Sequence, residues 1–334
     1  MNQTDKIDIV YTWVDGNDKA WLNKKEHLIK KNPKIVQKNR TNSKERFFNN
    51  DELKYSLRSI EKYANWINNI YIITDNQKPE WLNTNCPKIK LIDHKEIFDE
   101  KYLPSFNSSA IETNLHKIKE LNNYFLFFND DLFLGRKTKR QDFFHSNGNP
   151  KLFSGKNNIT IQDLEKKERE NEFQYAIYNS RLLIYKEYNY FCNWNLRHGI
   201  KVLDKKTLIE LEKKFLTYFN DTRKNRFRNS NDTHIMSLYA YYLEAKNMNQ
   251  KFYMPPLRRN LIRYKINWFR KNRDYTYLPL NLSEEKIKSK FYAIKKYKPL
   301  MFCINDGPNV DHYKRKISKK FLKELFPNKS IFEK

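Results

Sequence analysis

Four short, near-continuous apolar runs mark the first 130 residues: "KIDIVYTWVD", "NNIYIITD", "KIKLIDH" and "NYFLFFND". Their length and their β-branched and aromatic content predict strands buried on both faces. Helical spacing fills the gaps. "KAWLNKKEHLIKKN" reads as a helix, and from Asn50 onward Leu53, Leu57 and Ile60 recur at spacings of four and three behind an N-cap at Asn50 or Asp51. "SSAIETNLHKI" reads as a further helix capped by Ser108 or Ser109, with Glu112 placed as in a capping box. Strands alternating with helices predict an α/β fold with a Rossmann-like, mostly parallel sheet flanked by helices.

The pattern changes after Gly135. The chain is polar and irregular to about Glu172; "QYAIYNSRLLIYKEYNYF" is helical, and helical periodicity returns over Thr207 to Phe219 and Asp232 to Lys246, giving a mainly helical C-terminal half. The expected organisation is an α/β part over 1–145 that binds the donor, an insertion over 146–190, a helical part completing the site over 191–310, and a basic tail over 311–334. The polar segment Lys34 to Lys44 is expected to loop out. In the tail, Tyr313, Ile317 and Phe321 form one stripe among lysines, suited either to a membrane surface or to packing on the body.

The polar residues that stop the strands carry the first functional signal. Ligands of parallel sheets bind at the carboxyl ends of the strands. Those ends here are Asp15 with Gly16, Asp75, Asp93 with His94, and Asn129, Asp130 and Asp131. Adjacent buried carboxylates are costly without compensation, so "NDD" reads as a metal or diphosphate site, with capping of the next loop as the alternative. His198, followed by Gly199, is a candidate general base near neutral pH. Arg226 and Arg228 offer the planar fork that suits phosphate. Neither GxGxxG nor GxxxxGK[ST] occurs, which removes the dinucleotide fingerprint and the P-loop.

Composition adds limits. The formal charge is +26, concentrated in the last quarter of the chain, which implies either an anionic partner or a solvated lysine-rich surface. Three scattered cysteines without CxxC spacing argue against structural disulfides and a zinc site. "MNQTDKIDIV" is too polar for a secretory signal, and no stretch reaches the roughly 18 apolar residues of a membrane span. A cytoplasmic location, or a peripheral one on the inner face of the membrane, is expected.

Taken in order, the motifs resemble the Stealth family of bacterial capsule and exopolysaccharide sugar-1-phosphate transferases, related to the animal GlcNAc-1-phosphotransferase. The blocks are "IDIVYTWVDGND"; the run from "RFFNNDELKYSLRSIEKYANWINNIYIITDNQKPEWL" through "LPSFNSSAIETNLHKI" to "YFLFFNDDLFLG"; "RHG" with "RFRNSND"; and "MFCINDG". Lys54 stands where Arg is usual, and "HGIK" where "HGP" is common. The resemblance implies transfer of hexose-1-phosphate, with HexNAc-1-phosphate the expected group, from a UDP-sugar donor to a glycan or lipid-linked glycan acceptor, with release of UMP. It places catalytic roles on Glu112, Asp131, His198 and Arg228. Donor contacts fall on Asp15, Gly16, Asp75, Asn129 and Asn305, and Mg²⁺ or Mn²⁺ on Asp130, Asp131 and Asp306.

Two other classes stay open at this point. A conventional metal-dependent glycosyltransferase would use the same acids and release UDP. A basic, non-catalytic polyanion binder would use interleaved aromatics and cations such as "RRNLIRYKINWFRKNRDYTY", although no recognised nucleic-acid motif is present and nucleic acid is not an expected partner.

Overall fold

The computed structural model describes residues 6–31, 49–157, 159–164, 169–246, 275–307 and 310–334. The expected Lys34 to Lys44 loop and most of the basic, aromatic segment that begins at Arg258 lie outside the described residues. Ten strands are described: β1 Ile7–Thr12, β2 Ile70–Thr74, β3 Ile89–Asp93, β4 Tyr124–Asn129, β5 Leu132–Leu134, β6 Ser154–Asn157, β7 Trp194–Leu196, β8 Lys201–Asp204, β9 Tyr275–Pro279 and β10 Met301–Asn305. The α-helices are α1 Lys19–Lys31, α2 Glu52–Tyr63, α3 His94–Ile97, α4 Ser108–Glu112, α5 Glu172–Tyr188, α6 Lys205–Lys214, α7 Leu216–Lys224, α8 Ile235–Lys246, α9 Glu284–Tyr297 and α10 His312–Leu325.

The main sheet has the order β3-β2-β1-β4-β8, with the first four strands parallel and β8 antiparallel at the edge. Alternate residues of each central strand serve opposite cores. Val10, Ile73, Phe125 and Phe127 face one cluster with Leu203 and the aromatics of α8; Ile9, Ile72, Leu126 and Phe128 face another with Leu53, Leu57 and Ile60 of α2. That double burial is why these strands read as unbroken apolar runs. The chain lays down β1, β2 and β3 in one direction and then places β4 on the other side of β1. The reversal opens a crevice at the carboxyl ends of β1 and β4, the usual ligand position of such sheets.

A second sheet, β5-β10-β9, is joined to the first by a two-residue link, because β4 ends at Asn129 and β5 begins at Leu132. Its third core collects Phe133, Phe302, Leu278, Ile287, Phe321 and Leu322. The segment expected as a basic tail therefore packs on the body: Phe321 stacks on Phe291 at 3.9 Å between ring centroids, while Tyr313 alone of the stripe is exposed. Apolar burial at Phe321 and half-burial of Ile317 leave the stripe no continuous face for a membrane. Arg58 ties this segment to α2. Its guanidinium donates to both Glu333 carboxylate oxygens at 2.8 and 2.7 Å and to the carbonyl of Phe326 at 2.8 Å.

One local expectation changes, and one holds in position with a different bonding pattern. The helix α4 is a single five-residue turn capped by Asn107, whose side chain accepts from the Ser109 amide, and this leaves Glu112 unconnected to any capping box. At α2 the N-cap is Asp51 in the left-handed region, and Glu52 reaches back to the Asn50 amide instead.

Candidate active site

The two-residue link between the sheets is Asp130–Asp131. Its conformation is fixed from both sides, since Asn129 is in register with Thr12 of β1 and Leu132 with Cys303 of β10. The Ile304 amide donates to the Asp131 carbonyl at 3.1 Å. The Asp131 side chain is then held by β10: Oδ2 accepts from Asn305 Nδ2 at 3.0 Å and from Cys303 Sγ at 3.2 Å. His198 Nε2 stands 3.8 Å from the same oxygen, an ion-pair rather than a hydrogen-bond separation. Burial alone would raise the Asp131 pKa, but His198, Asn305 and Cys303 together hold it below the usual carboxylate value.

Its neighbours behave oppositely. Burial, with the charges of Asp131 and Glu52, pushes Asp130 well above its ordinary value. Burial likewise pushes Glu52 up to about 7, against the hydrogen bonds from Asn50. Three carboxyls thus converge with one, Asp131, strongly favoured as the anion. Its Oδ1 is buried with no partner.

Cations and neutral donors form the facing wall. His198 lies on the loop between β7 and β8, where a Cβ at Gly199 would crowd Met301 Sδ at 3.0 Å and the Tyr275 ring at 3.3 Å. Lys201, half-buried at the start of β8, donates from Nζ to the carbonyls of Arg197 and Gly199, the residues on either side of His198. Burial lowers the Lys201 pKa to about 8, with Glu112, Cys303 and Asp131 pulling the other way. Arg228 donates to Ser108 Oγ from Nη2 at 2.7 Å and lies 5.5 Å from the Phe173 ring centre. The loop that carries it is shaped by Asp232, which accepts from Asn107 and Asn225 at 2.9 and 2.7 Å.

Glu112 sits between these cations. Burial pushes it up to about 7, although Arg228 and Lys201 oppose the rise, and Oε2 has no hydrogen-bond partner. His234 Nε2 is 3.8 Å from that oxygen, and its Nδ1 shares a hydrogen bond of 2.8 Å with Ser237. Burial and the nearby cations push His234 down to about 3, so it is neutral at physiological pH.

All these groups border one cavity of about 530 Å³, which runs from His94 at the end of β3, past Thr12, Trp13 and Val14 at the end of β1, to Asn305 and Asp306 at the end of β10. Of the residues singled out from the sequence, Glu112, Asn129, Asp130, Asp131, His198, Arg228, Asn305 and Asp306 line it. Asp306 does so with both carboxylate oxygens turned to Arg315, at 2.7 and 3.4 Å. Asp15, Gly16 and Asp75 do not line it. The Asp15 backbone exchanges hydrogen bonds of 2.9 Å with the Gln77 side chain, and Asp75 accepts from Lys24 at 2.8 Å. His94, marked in the sequence with Asp93 as a polar strand end, also lines the cavity; sequence reading missed Glu52, Lys201, His234 and Cys303, which enter only through tertiary packing.

The donor set can be tested against a metal. Asp131, His198 and Cys303 bring ligand atoms within 4.8 Å of one another. Cys303 Sγ is already engaged as a donor to Asp131 Oδ2, and burial with the Asp131 charge holds its thiol well above its ordinary pKa. Asp130 and Glu52 border the same cavity, Glu52 with both oxygens taken by Asn50, and Asp131 keeps an orphaned buried oxygen, Oδ1. That chemistry fits a hard divalent cation such as Mg²⁺ or Mn²⁺.

Comparison with known proteins agrees in order and extent. Residues 5–32, 46–152 and 197–244 match the models of Stealth protein conserved regions 1, 2 and 3. The chain is 38% identical over 258 residues to the capsular polysaccharide phosphotransferase fcs1 of Haemophilus influenzae, covering 74% of this chain and 68% of that protein. It is 33% identical over 332 residues to SacB, a capsular polysaccharide phosphotransferase of Neisseria meningitidis serogroup A, covering 98% and 57%. With the Streptomyces coelicolor exopolysaccharide phosphotransferase SCO2594 it shares 33% identity over 99% of this chain and 52% of that protein. The chain thus spans about half the length of the last two. Among solved structures, the galactosyltransferase LgtC with donor and acceptor sugar analogues aligns over 96% of this chain and 95% of that one at 10% identity and a TM-score of 0.43, too distant to transfer fold or function.

Proposed function

The chain belongs to the Stealth family, and from that premise we propose that it transfers hexose-1-phosphate from a UDP-sugar to a hydroxyl of a glycan, releasing UMP, in capsule or exopolysaccharide synthesis. The observation that carries the reading is one cavity at the β1/β4 switch point lined both by carboxyls, Asp130, Asp131 and Glu52, and by cations, Arg228 and Lys201. A diphosphate needs both: cations for its oxygens and, with its metal, carboxylates.

In this reading the acceptor oxygen attacks the donor's β-phosphorus and the bond from that phosphorus to the bridging oxygen of UMP breaks in line. The sugar keeps its own bond to phosphorus. Positioning and charge complementarity dominate such a transfer. His198 takes the acceptor proton, with Asp131 beside it to favour the imidazolium that forms. Arg228 and Lys201 face the phosphoryl oxygens, and Glu112 holds the two cations in place. Asp130 and Asp131, the latter with its unpartnered Oδ1, would hold Mg²⁺ or Mn²⁺, which when bound supplies positive charge to the diphosphate. Asp306 is left out of that set because Arg315 already engages it.

A UDP-N-acetylhexosamine labelled at the β-phosphorus, incubated with a capsular oligosaccharide acceptor, tests the reading. Label in a phosphodiester product with UMP released is expected. Release of UDP with an unlabelled product would refute it in favour of ordinary glycosyl transfer. The membrane proposal is reduced to the lysine-rich face of α10, and no described helix is long and apolar enough to cross a membrane.

A further inference from the structure

Glu112 is carried by a turn that cannot hold itself. Helix α4 has five residues, too few for a stable helix on its own, and Oε2 of Glu112 has no hydrogen-bond partner to anchor the side chain. The grip comes from behind the site. Arg223, 2% exposed in the last turn of α7, donates from Nη2 to the Thr113 carbonyl at 2.8 Å and from Nε to Thr113 Oγ1 at 3.2 Å. Thr113 directly follows Glu112 and is fully buried. Glu212, on α6, completes the arrangement: one carboxylate oxygen pairs with Arg223 Nη1 and the other with His116 Nε2, on the same loop as Thr113. Burial opposes the charge on Glu212, but the bonds from His116 and Arg223 hold its pKa down at about 2, so both oxygens stay available as acceptors. Arg223, Glu212 and His116 do not border the cavity.

The same residues reach the facing cation. α7 ends at Lys224, and the loop that follows brings Arg228 onto Ser108, the first residue of α4, at 2.7 Å. Where that loop returns, the Thr233 amide donates at 2.9 Å to Thr222 Oγ1, beside Arg223. We propose that Glu212 is a positioning residue for the transfer, which through Arg223 sets the spacing of Glu112 and Arg228 without touching the substrate. The inference rests on the sugar-phosphate reading above, in which Glu112 holds Arg228 toward the phosphoryl oxygens. A carboxylate suits the task because it accepts on both oxygens at once. Gln of the same shape offers one acceptor and turns an N–H toward the other donor. A shift of about 1 Å at a site of this kind costs about a hundredfold in rate.

Glu212→Gln, assayed well below its melting temperature so that all of it is folded, should lower kcat for UMP release about tenfold or more while the donor KM stays within about threefold. Thr113→Val, which removes the acceptor for Arg223 Nε, should lower kcat in smaller measure; Thr113→Ser, which keeps it, should match the wild type. Hydrogen exchange read by mass spectrometry needs no substrate. In Glu212→Gln, or in Thr113→Val should the first not fold, peptides 108–117 and 225–233 should both exchange about tenfold faster or more, the weight of one hydrogen bond to a charged group, while β1 and β4 keep wild-type protection. Unchanged exchange in either peptide, wild-type kcat in folded Glu212→Gln, or equal activity of the two Thr113 variants overturns the inference. A wild type that releases no UMP from any UDP-sugar, with both peptides still loosened by the variant, supports the link and overturns the UDP-sugar reading instead.

Discussion

Replacing Glu112 by Gln should stabilise the fold at alkaline pH while abolishing transfer. Gln mimics the protonated acid, which is the form that burial favours. The rise from 4.5 to about 7 corresponds to about 3 kcal/mol of penalty on the charged form once the pH exceeds both values. The sign follows from linkage: between pH 4.5 and 7 the folded wild type holds the proton more tightly than the unfolded chain, so its stability falls as pH rises through that window. The variant has no such loss. Thermal melts of both proteins from pH 4 to 8.5 should therefore nearly coincide at the acidic end and diverge at the alkaline end, the variant melting several degrees higher. A constant gap across the range, or a variant less stable at pH 8, would refute the argument that Glu112 is held against its preferred charge. Retained activity in Glu112→Gln would refute its role among the cations.

Lys201→Met should lower kcat by one to two orders of magnitude, on the scale expected when a catalytic group is misplaced by about 1 Å, and should add little on top of His198→Ala. Multiplicative effects in that cycle would instead mean that Lys201 acts independently of the His198 loop. Millimolar Mg²⁺ or Mn²⁺ should stabilise the wild type at pH 8, where its site carboxyls are most charged, by up to about 3 kcal/mol at a hundredfold excess over Kd, read as a higher melting temperature. An equal rise in Asp131→Asn would place the cation elsewhere.

The parallel sheet was legible because each central strand is buried on both faces and leaves an apolar run with an acid at its end. The strands that complete the site were not. β5 has three residues and β8 four, too few for any period to show, and β10 shows only as the short run "MFCIN". Asp130 and Asp131 were visible as acids in an apolar setting, whereas Lys201 and His234 look like surface residues on helices and loops until the fold brings them together. His198 and Arg228 were picked out by residue type, an imidazole beside a glycine and a guanidinium suited to phosphate, and the resemblance of their short motifs then gave them roles. Glu112 shows the opposite error. Its spacing from Ser109 suggested a cap, but Asn107 performs that task and the carboxyl turns inward instead.

The hydrogen bonds that set Asp131 come from Cys303 and Asn305, 172 and 174 residues further along the chain. Closing a loop of that length precedes any benefit from the contacts it makes, so long-range pairings of this kind form late. During synthesis the β1–β4 sheet can assemble as soon as Asn129 has emerged, yet β5 waits for β10 to be made before the two acids acquire their arrangement. The nascent chain thus carries a nearly finished sheet with an unfinished site, and the bonds that orient Asp131 arrive only once β10 is made.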